Sequence, residues 1–170
     1  MFVSAFVSGI AGAVYLWRRS ARAEHLTAAA GELVVVFGAI VLLTGPIWAR
    51  KAWGVWWQWD ARLTITLVMW LIFVAFLLLR KYGGPGSETL SAAVAVFGMA
   101  NVPFVYWSVN VWRTVHPKTS VVMTLQPDMG RPFLICSLAF VSLCTLMLAA
   151  RVQLENRRAQ LDELYLALED

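Results

Sequence analysis

The chain has 170 residues, of which 60% are hydrophobic and 14% charged, with a mean hydropathy of +0.68 and a net charge of +4. Soluble domains carry about a quarter charged residues, so this composition excludes a soluble globular protein and predicts an integral membrane protein. The basic residues stand singly or in pairs at the ends of apolar stretches. They indicate topological anchors and exclude a nucleic-acid-binding surface.

Five apolar stretches predict one domain over residues 1–170, an all-α polytopic transmembrane helix bundle with an amphipathic, tryptophan-rich outer loop. The shortest stretches have about 17 residues and reach about 25 Å as helices, which is marginal but sufficient to cross a bilayer core. The predicted spans are 1–17, 28–48, 63–79, 89–107 and 132–150, followed by a cytoplasmic tail, 151–170, that continues the last helix.

The basic residues also predict the orientation of the bundle. Alternating the connections places eight Lys and Arg residues on one side and six on the other. Arg18 and Arg19, next to the first span, weigh most in the positive-inside rule and place their side in the cytoplasm. The tryptophan-rich loop then faces outward. Met1 also lies outside without a signal peptide, so we expect a further span upstream of this sequence.

Residues 48–60, which we call the tryptophan segment, hold five of the nine tryptophans of the chain. Indoles in such number suit a flat apolar ligand or a membrane interface. The segment ends at Asp60, which directly precedes the third span and is predicted to cap that helix. The residues that would share a face are Trp53, Trp56, Trp57 and Asp60 in a helix, and Trp53, Trp57 and Trp59 in a strand.

The two histidines are predicted to lie on opposite sides of the membrane. His25 falls in a short inner loop, whereas His116 lies in the outer connection and can share a site with the tryptophan segment. Imidazole is a good axial ligand for haem iron, and Arg62, Arg113 and Lys118 could pair with the propionates. A solvated histidine and an interfacial tryptophan belt are the alternative interpretation.

No motif in the sequence is typical of an enzyme. It contains no nucleophile with a nearby base, no cluster of carboxylates, no phosphate-binding loop and no H-E-x-x-H pattern. Cys136 and Cys144 stand eight residues apart in an apolar stretch, without the spacing of a redox or haem-attachment motif, which indicates helix packing. We therefore expect a binding or transport protein, with any ATP hydrolysed by another chain.

Two segments resemble the cytochrome c assembly (WWD) family. WGVWWQWDARLT, residues 53–64, resembles its WWD signature, and the ARLT continuation is similar to the CcmC branch, which handles haem during cytochrome c maturation. NVPFVYWSVNVWRTVHP, residues 101–117, is also similar to that branch. The resemblance implies that the WWD residues are Trp53, Gly54, Trp56, Trp57, Trp59 and Asp60. It also implies that His116 is one axial ligand of the haem iron.

The resemblance further implies haem delivery at the outer face of the bacterial inner membrane. Haem b would be held transiently and without a covalent bond, then passed to the haem chaperone CcmE, with an ABC transporter complex of CcmA, CcmB and CcmD assisting release. The family's other axial histidine has no counterpart in this sequence, and His25 is on the wrong side to replace it. The alternative function is a structural or docking subunit of a membrane transporter complex that does not itself ligate haem.

Overall fold

The fold is known from a computed structural model, which describes residues 1–112, 116 and 125–169. Those residues form five helices and no strand, which confirms the all-α prediction. Four helices are long and apolar enough to cross a membrane, and the first is a shorter apolar helix of 17 residues. The helices are α1 (Phe2–Arg18), α2 (Ala21–Trp53), α3 (Ala61–Tyr82), α4 (Ser87–Val111) and α5 (Pro127–Glu169).

Helix α2 is longer than the apolar stretch that predicted it. Its 33 residues span about 50 Å, against a hydrocarbon core of about 30 Å, so both of its ends extend beyond the core. One consequence is that His25 lies inside α2, so the prediction that it falls in a short inner loop is wrong. Another is that the first part of the tryptophan segment, 48–53, is helical.

The helices pack closely because small residues lie at their contacts. Ala5, Val34, Phe73 and other buried side chains from α1 to α4 form the core cluster. At Gly98 in α4, a Cβ atom would lie 2.6 Å from Cε2 of Phe73, so only glycine allows this approach of α3 and α4. Small residues at helix contacts are typical of membrane bundles, in which close packing replaces the hydrophobic driving force.

Alternation of the helices gives the bundle two distinct ends. At the tryptophan end, α2 and α4 end and α1, α3 and α5 begin; at the arginine end the reverse holds. Polar contacts join the helices at the arginine end. Arg80 of α3 pairs with Glu24 of α2 at 2.5 Å, and Arg151 of α5 binds Glu32 of α2 with two nitrogens. Helix α5 is peripheral and packs mainly on α2.

Candidate functional site

The tryptophan segment changes conformation within a few residues. Helix α2 ends at Trp53, and Gly54 adopts a left-handed conformation with φ 77°, its N–H donating to the carbonyl of Arg50 at 3.2 Å. Glycine suits this position because other residues avoid positive φ. The irregular stretch that follows ends where the carboxylate of Asp60 accepts the N–H of Leu63 at 2.8 Å. This bond confirms the predicted cap of α3 and fixes the exit of the segment.

His116 lies against the tryptophan segment. Its Nδ1 is 2.9 Å from Oδ2 of Asp60, and the two side chains are 18% and 7% exposed. The imidazole also meets Trp53 edge-on, with ring centroids 5.0 Å apart. Each oxygen of this carboxylate therefore has a partner among the described residues: Oδ1 caps α3 and Oδ2 contacts the imidazole.

The indoles form two edge-to-face pairs around this histidine. Trp48 packs on Trp53 at 4.9 Å, and Trp57 packs on Trp59 at 5.5 Å between centroids. Trp56 and Trp59 are 59% and 75% exposed, so they present ring surface outward. Indole Nε1 of Trp57 is buried and has no hydrogen-bond partner among the described residues. A buried donor without a partner costs free energy unless a ligand accepts its hydrogen bond.

Two of the cavities at this end of the bundle are lined in part by His116. The larger has a volume of about 310 Å³ and is bordered by Trp57, Arg62 and His116, with apolar walls from α1 and α2 that include Phe2 and Leu42. The smaller, about 70 Å³, lies among Trp48, Trp53, Trp56, Trp57 and His116. Apolar walls with a few convergent polar groups are typical of small-molecule sites. The polar groups here are an imidazole, a guanidinium and an indole N–H.

The structure brings most of the predicted site residues together. The five aromatic and acidic positions of the WWD motif and His116 form one cluster, Gly54 supplies its turn, and Arg62 borders its cavity. Arg113 and Lys118 lie outside the described residues. His25 is at the arginine end, where its Nδ1 is 2.6 Å from Oδ1 of Asn156.

Sequence reasoning missed the apolar walls of the larger cavity. They come from Met1 and Phe2 at the start of α1 and from Val41, Leu42, Gly45 and Pro46 in α2. The α2 residues follow one another at helical spacing and belong to the last turns before the tryptophan segment. Any lipid-facing or core-facing stripe has the same spacing, so the sequence offered no signal that separates these residues from ordinary packing positions.

The fold and this cluster define a multi-pass helical membrane protein with an aromatic, imidazole-containing site at one end. Comparison with known families identifies the family to which this protein belongs. The chain belongs to the heme exporter protein C family, whose model matches residues 1–166.

Curated relatives carry the same family name. The chain is 34% identical to heme exporter protein C of Bradyrhizobium diazoefficiens over 168 residues, which cover 94% of this chain and 64% of that protein. It is 29% identical to heme exporter protein C of Escherichia coli, over 98% of this chain and 70% of that protein. The chain therefore spans about two thirds of the length of these relatives.

Proposed function

We propose that the tryptophan end binds haem as a transient cargo, held as haem b without a covalent bond, for delivery to c-type cytochrome assembly. The observation that carries this proposal is the contact of His116 with Asp60. Histidines that ligate metals commonly donate the N–H of their second ring nitrogen to a carboxylate, and this hydrogen bond fixes the tautomer and the ring orientation. With Nδ1 at 2.9 Å from Asp60, the iron would be coordinated by Nε2.

The surrounding residues match the other parts of a haem molecule. The indoles of Trp53, Trp56 and Trp57 offer flat apolar surface for the macrocycle. Arg62 and the indole N–H of Trp57 border the larger cavity and can bind a propionate carboxylate. Non-covalent ligation by one imidazole suits a cargo that has to be released again.

The proposed direction of delivery is outward. The family name of the relatives, heme exporter protein C, and the greater number of basic residues on the side of Arg18 and Arg19 support a tryptophan end at the periplasmic face of the inner membrane. There, haem would pass to the haem chaperone CcmE, with CcmA, CcmB and CcmD as the transporter complex that assists release. The role is that of a haem carrier and not of an enzyme.

Haem titration of His116→Ala tests the proposal. Detergent-purified protein is titrated with haem and followed by Soret absorbance, with His25→Ala as the matched control. His116→Ala is expected to lose the Soret band while His25→Ala retains it, because His25 lies at the opposite end of the bundle. Besides His25 at the opposite end, this sequence of 170 residues contains one histidine, His116, so a five-coordinate, high-spin spectrum is expected for a chain of this length.

Two results would contradict the proposal. Haem content unchanged in a folded His116→Ala protein would remove the ligand role, and a stable bis-histidine, low-spin spectrum would contradict the single protein ligand. The second candidate function, a docking subunit, is favoured by the exposed rings of Trp56 and Trp59. It predicts unchanged haem content and lost assembly with partner subunits in a Trp56→Ala, Trp59→Ala double variant.

A further inference from the structure

One face of α5 borders two cavities that neither His116 nor the tryptophan segment lines. The first is an apolar furrow of about 240 Å³ between α1 and α5, next to the contact of Ser4 Oγ with Cys144 Sγ at 3.3 Å. The second is a polar cleft of about 450 Å³ between α5 and the first turns of α2. The cleft is lined by Arg22, His25, Leu26, Val152, Asn156 and Gln160.

The two cavities follow each other along the helix. Leu148 lines the furrow, and Val152, Asn156 and Gln160 line the cleft at successive four-residue steps, so all four lie on one side of α5. From Val141 to Gln160 the distance along the axis is about 28 Å. We call the furrow and the cleft together the groove: the furrow is mostly apolar, and the cleft, at the arginine end, has mostly polar lining residues.

Among the described residues that line the cleft, Arg22 is the one that is always charged, and its charge is positive. Arg22 is exposed and has no carboxylate within ion-pair distance among the described residues. The nearby acids already face other cations: Glu24 pairs with Arg80 at 2.5 Å, and Glu155 pairs with Arg151 at 2.8 Å. The amides of Asn156 and Gln160 add neutral donors. An anion can therefore enter the cleft without meeting an uncompensated carboxylate of the described residues.

The cleft also lies where lipid headgroups are found. Trp17, Arg18 and Tyr82 mark the interface at this end, with the guanidinium of Arg18 5.8 Å from the indole of Trp17. Aromatic and basic residues are enriched at the membrane–water boundary. Arg22 follows Arg18 and Arg19 closely in the chain, after the turn between α1 and α2, and lies at the start of α2.

We propose that this groove binds an anionic phospholipid. The phosphodiester is bound by Arg22 and the amides of the cleft, and one acyl chain lies in the furrow over Leu148. Basic pockets between transmembrane helices are known binding sites for anionic headgroups. A soluble anion would use the cleft alone, so the apolar furrow one helical turn away along α5, at Leu148, favours a lipid.

Lipid titration of the delipidated, detergent-purified chain tests this site. The probes are phosphatidylglycerol, phosphatidylcholine and inorganic phosphate, with binding measured by native mass spectrometry and lipid-dependent thermal stabilisation. Arg22→Gln is expected to weaken phosphatidylglycerol binding about fivefold, and Arg22→Lys is expected to restore most of it. The matched control, Arg157→Gln, removes an exposed charge of the same end that does not line the cleft.

A separate substitution tests the furrow. Leu148→Trp fills it and is expected to weaken phosphatidylglycerol binding, whereas Leu146→Trp, on a side chain that is 69% exposed, is expected to leave it unchanged. Equal binding of phosphatidylcholine and phosphatidylglycerol with no effect of Arg22→Gln would overturn the proposal. Phosphate that competes fully with the lipid, together with an inert Leu148→Trp, would make the cleft a soluble-anion site and overturn it too. Circular dichroism shows whether each variant retains its helices.

Discussion

Asp60 links the start of a helix to the candidate haem ligand. Its Oδ1 accepts the N–H of Leu63, and its Oδ2 is 2.9 Å from Nδ1 of His116. The cap alone contributes about 1 kcal/mol to helix stability. Because both oxygens belong to one planar carboxylate, the position of α3 sets the position of the imidazole. A change at this residue therefore affects stability and the proposed ligation through different atoms.

Two substitutions at Asp60 separate these effects. Asn keeps an oxygen that can cap α3 but lacks the charge that faces His116, whereas Ala loses both. Asp60→Asn is expected to weaken haem binding about 10- to 100-fold with little change in thermal stability. Asp60→Ala is expected to weaken it similarly and to lower stability by about 1 kcal/mol.

Haem titration and thermal denaturation measure both quantities. The matched control is Asp128→Asn, which changes an exposed acid in the first turn of α5 at the same end. Equal haem affinity of Asp60→Asn and the unchanged protein would show that the charge of the carboxylate does not support the ligand.

Of the cap and the histidine contact made by Asp60, sequence alone predicted the cap. The cap is local, since an Asp directly before an apolar helix places its oxygen near the amides of the first turn. The contact with His116 joins residues 56 positions apart, and it depends on where α4 ends relative to α3. The WWD resemblance named both residues, but no spacing rule gives their distance.

At the scale of the elements, hydropathy predicted the apolar parts of the helices but not their ends. The second apolar stretch, 28–48, became α2 from Ala21 to Trp53, because a helix continues past the apolar core wherever its backbone hydrogen bonds can form. Its C-terminal end is set by the left-handed Gly54, which is local chemistry. Helix α5 similarly runs through the tail to Glu169, as predicted.

The close contact of α3 with α4 gives a prediction at this scale. Ala in place of a helical Gly normally stabilises a helix by about 0.5–1 kcal/mol. At Gly98 the new methyl group would lie 2.6 Å from the fully buried ring of Phe73, so Gly98→Ala is expected to destabilise the bundle by about 1–3 kcal/mol. Thermal denaturation of the variant and the unchanged protein in the same detergent shows whether the substitution raises or lowers stability.

Gly130 provides the control for the destabilisation expected at Gly98. It is also helical, but a Cβ atom there meets none of the described residues within 4 Å, so Gly130→Ala is expected to be neutral or slightly stabilising. A lower melting temperature for both variants, or for neither, would show that the contact with Phe73 does not limit the approach of the helices. The sequence identified α3 and α4 but could not show this contact, because which glycine faces which ring depends on helix rotation.

At the scale of the whole molecule, the two ends of the bundle have different chemistry. The tryptophan end contains His116 and the indoles, and the arginine end contains the interhelical ion pairs and the proposed lipid groove. The odd number of helices places the described chain's start and its α5 terminus at opposite ends. The sequence predicted this alternation, but its charge count of eight against six gives only a small bias for sidedness.

Cysteine labelling of intact cells tests whether α3 crosses the membrane and which of its ends faces outward. Gln58 is exposed in the tryptophan segment and Tyr82 is 70% exposed at the end of α3, so a single helix of 22 residues, about 33 Å long, separates them. In a background with Cys136 and Cys144 replaced by Ser, Gln58→Cys is expected to react with a membrane-impermeant maleimide. Tyr82→Cys is expected to react only after the membrane is opened. Reaction of both in intact cells would mean that α3 does not cross the membrane, and the reverse pattern would place the tryptophan end in the cytoplasm, where it could not deliver haem to an external partner.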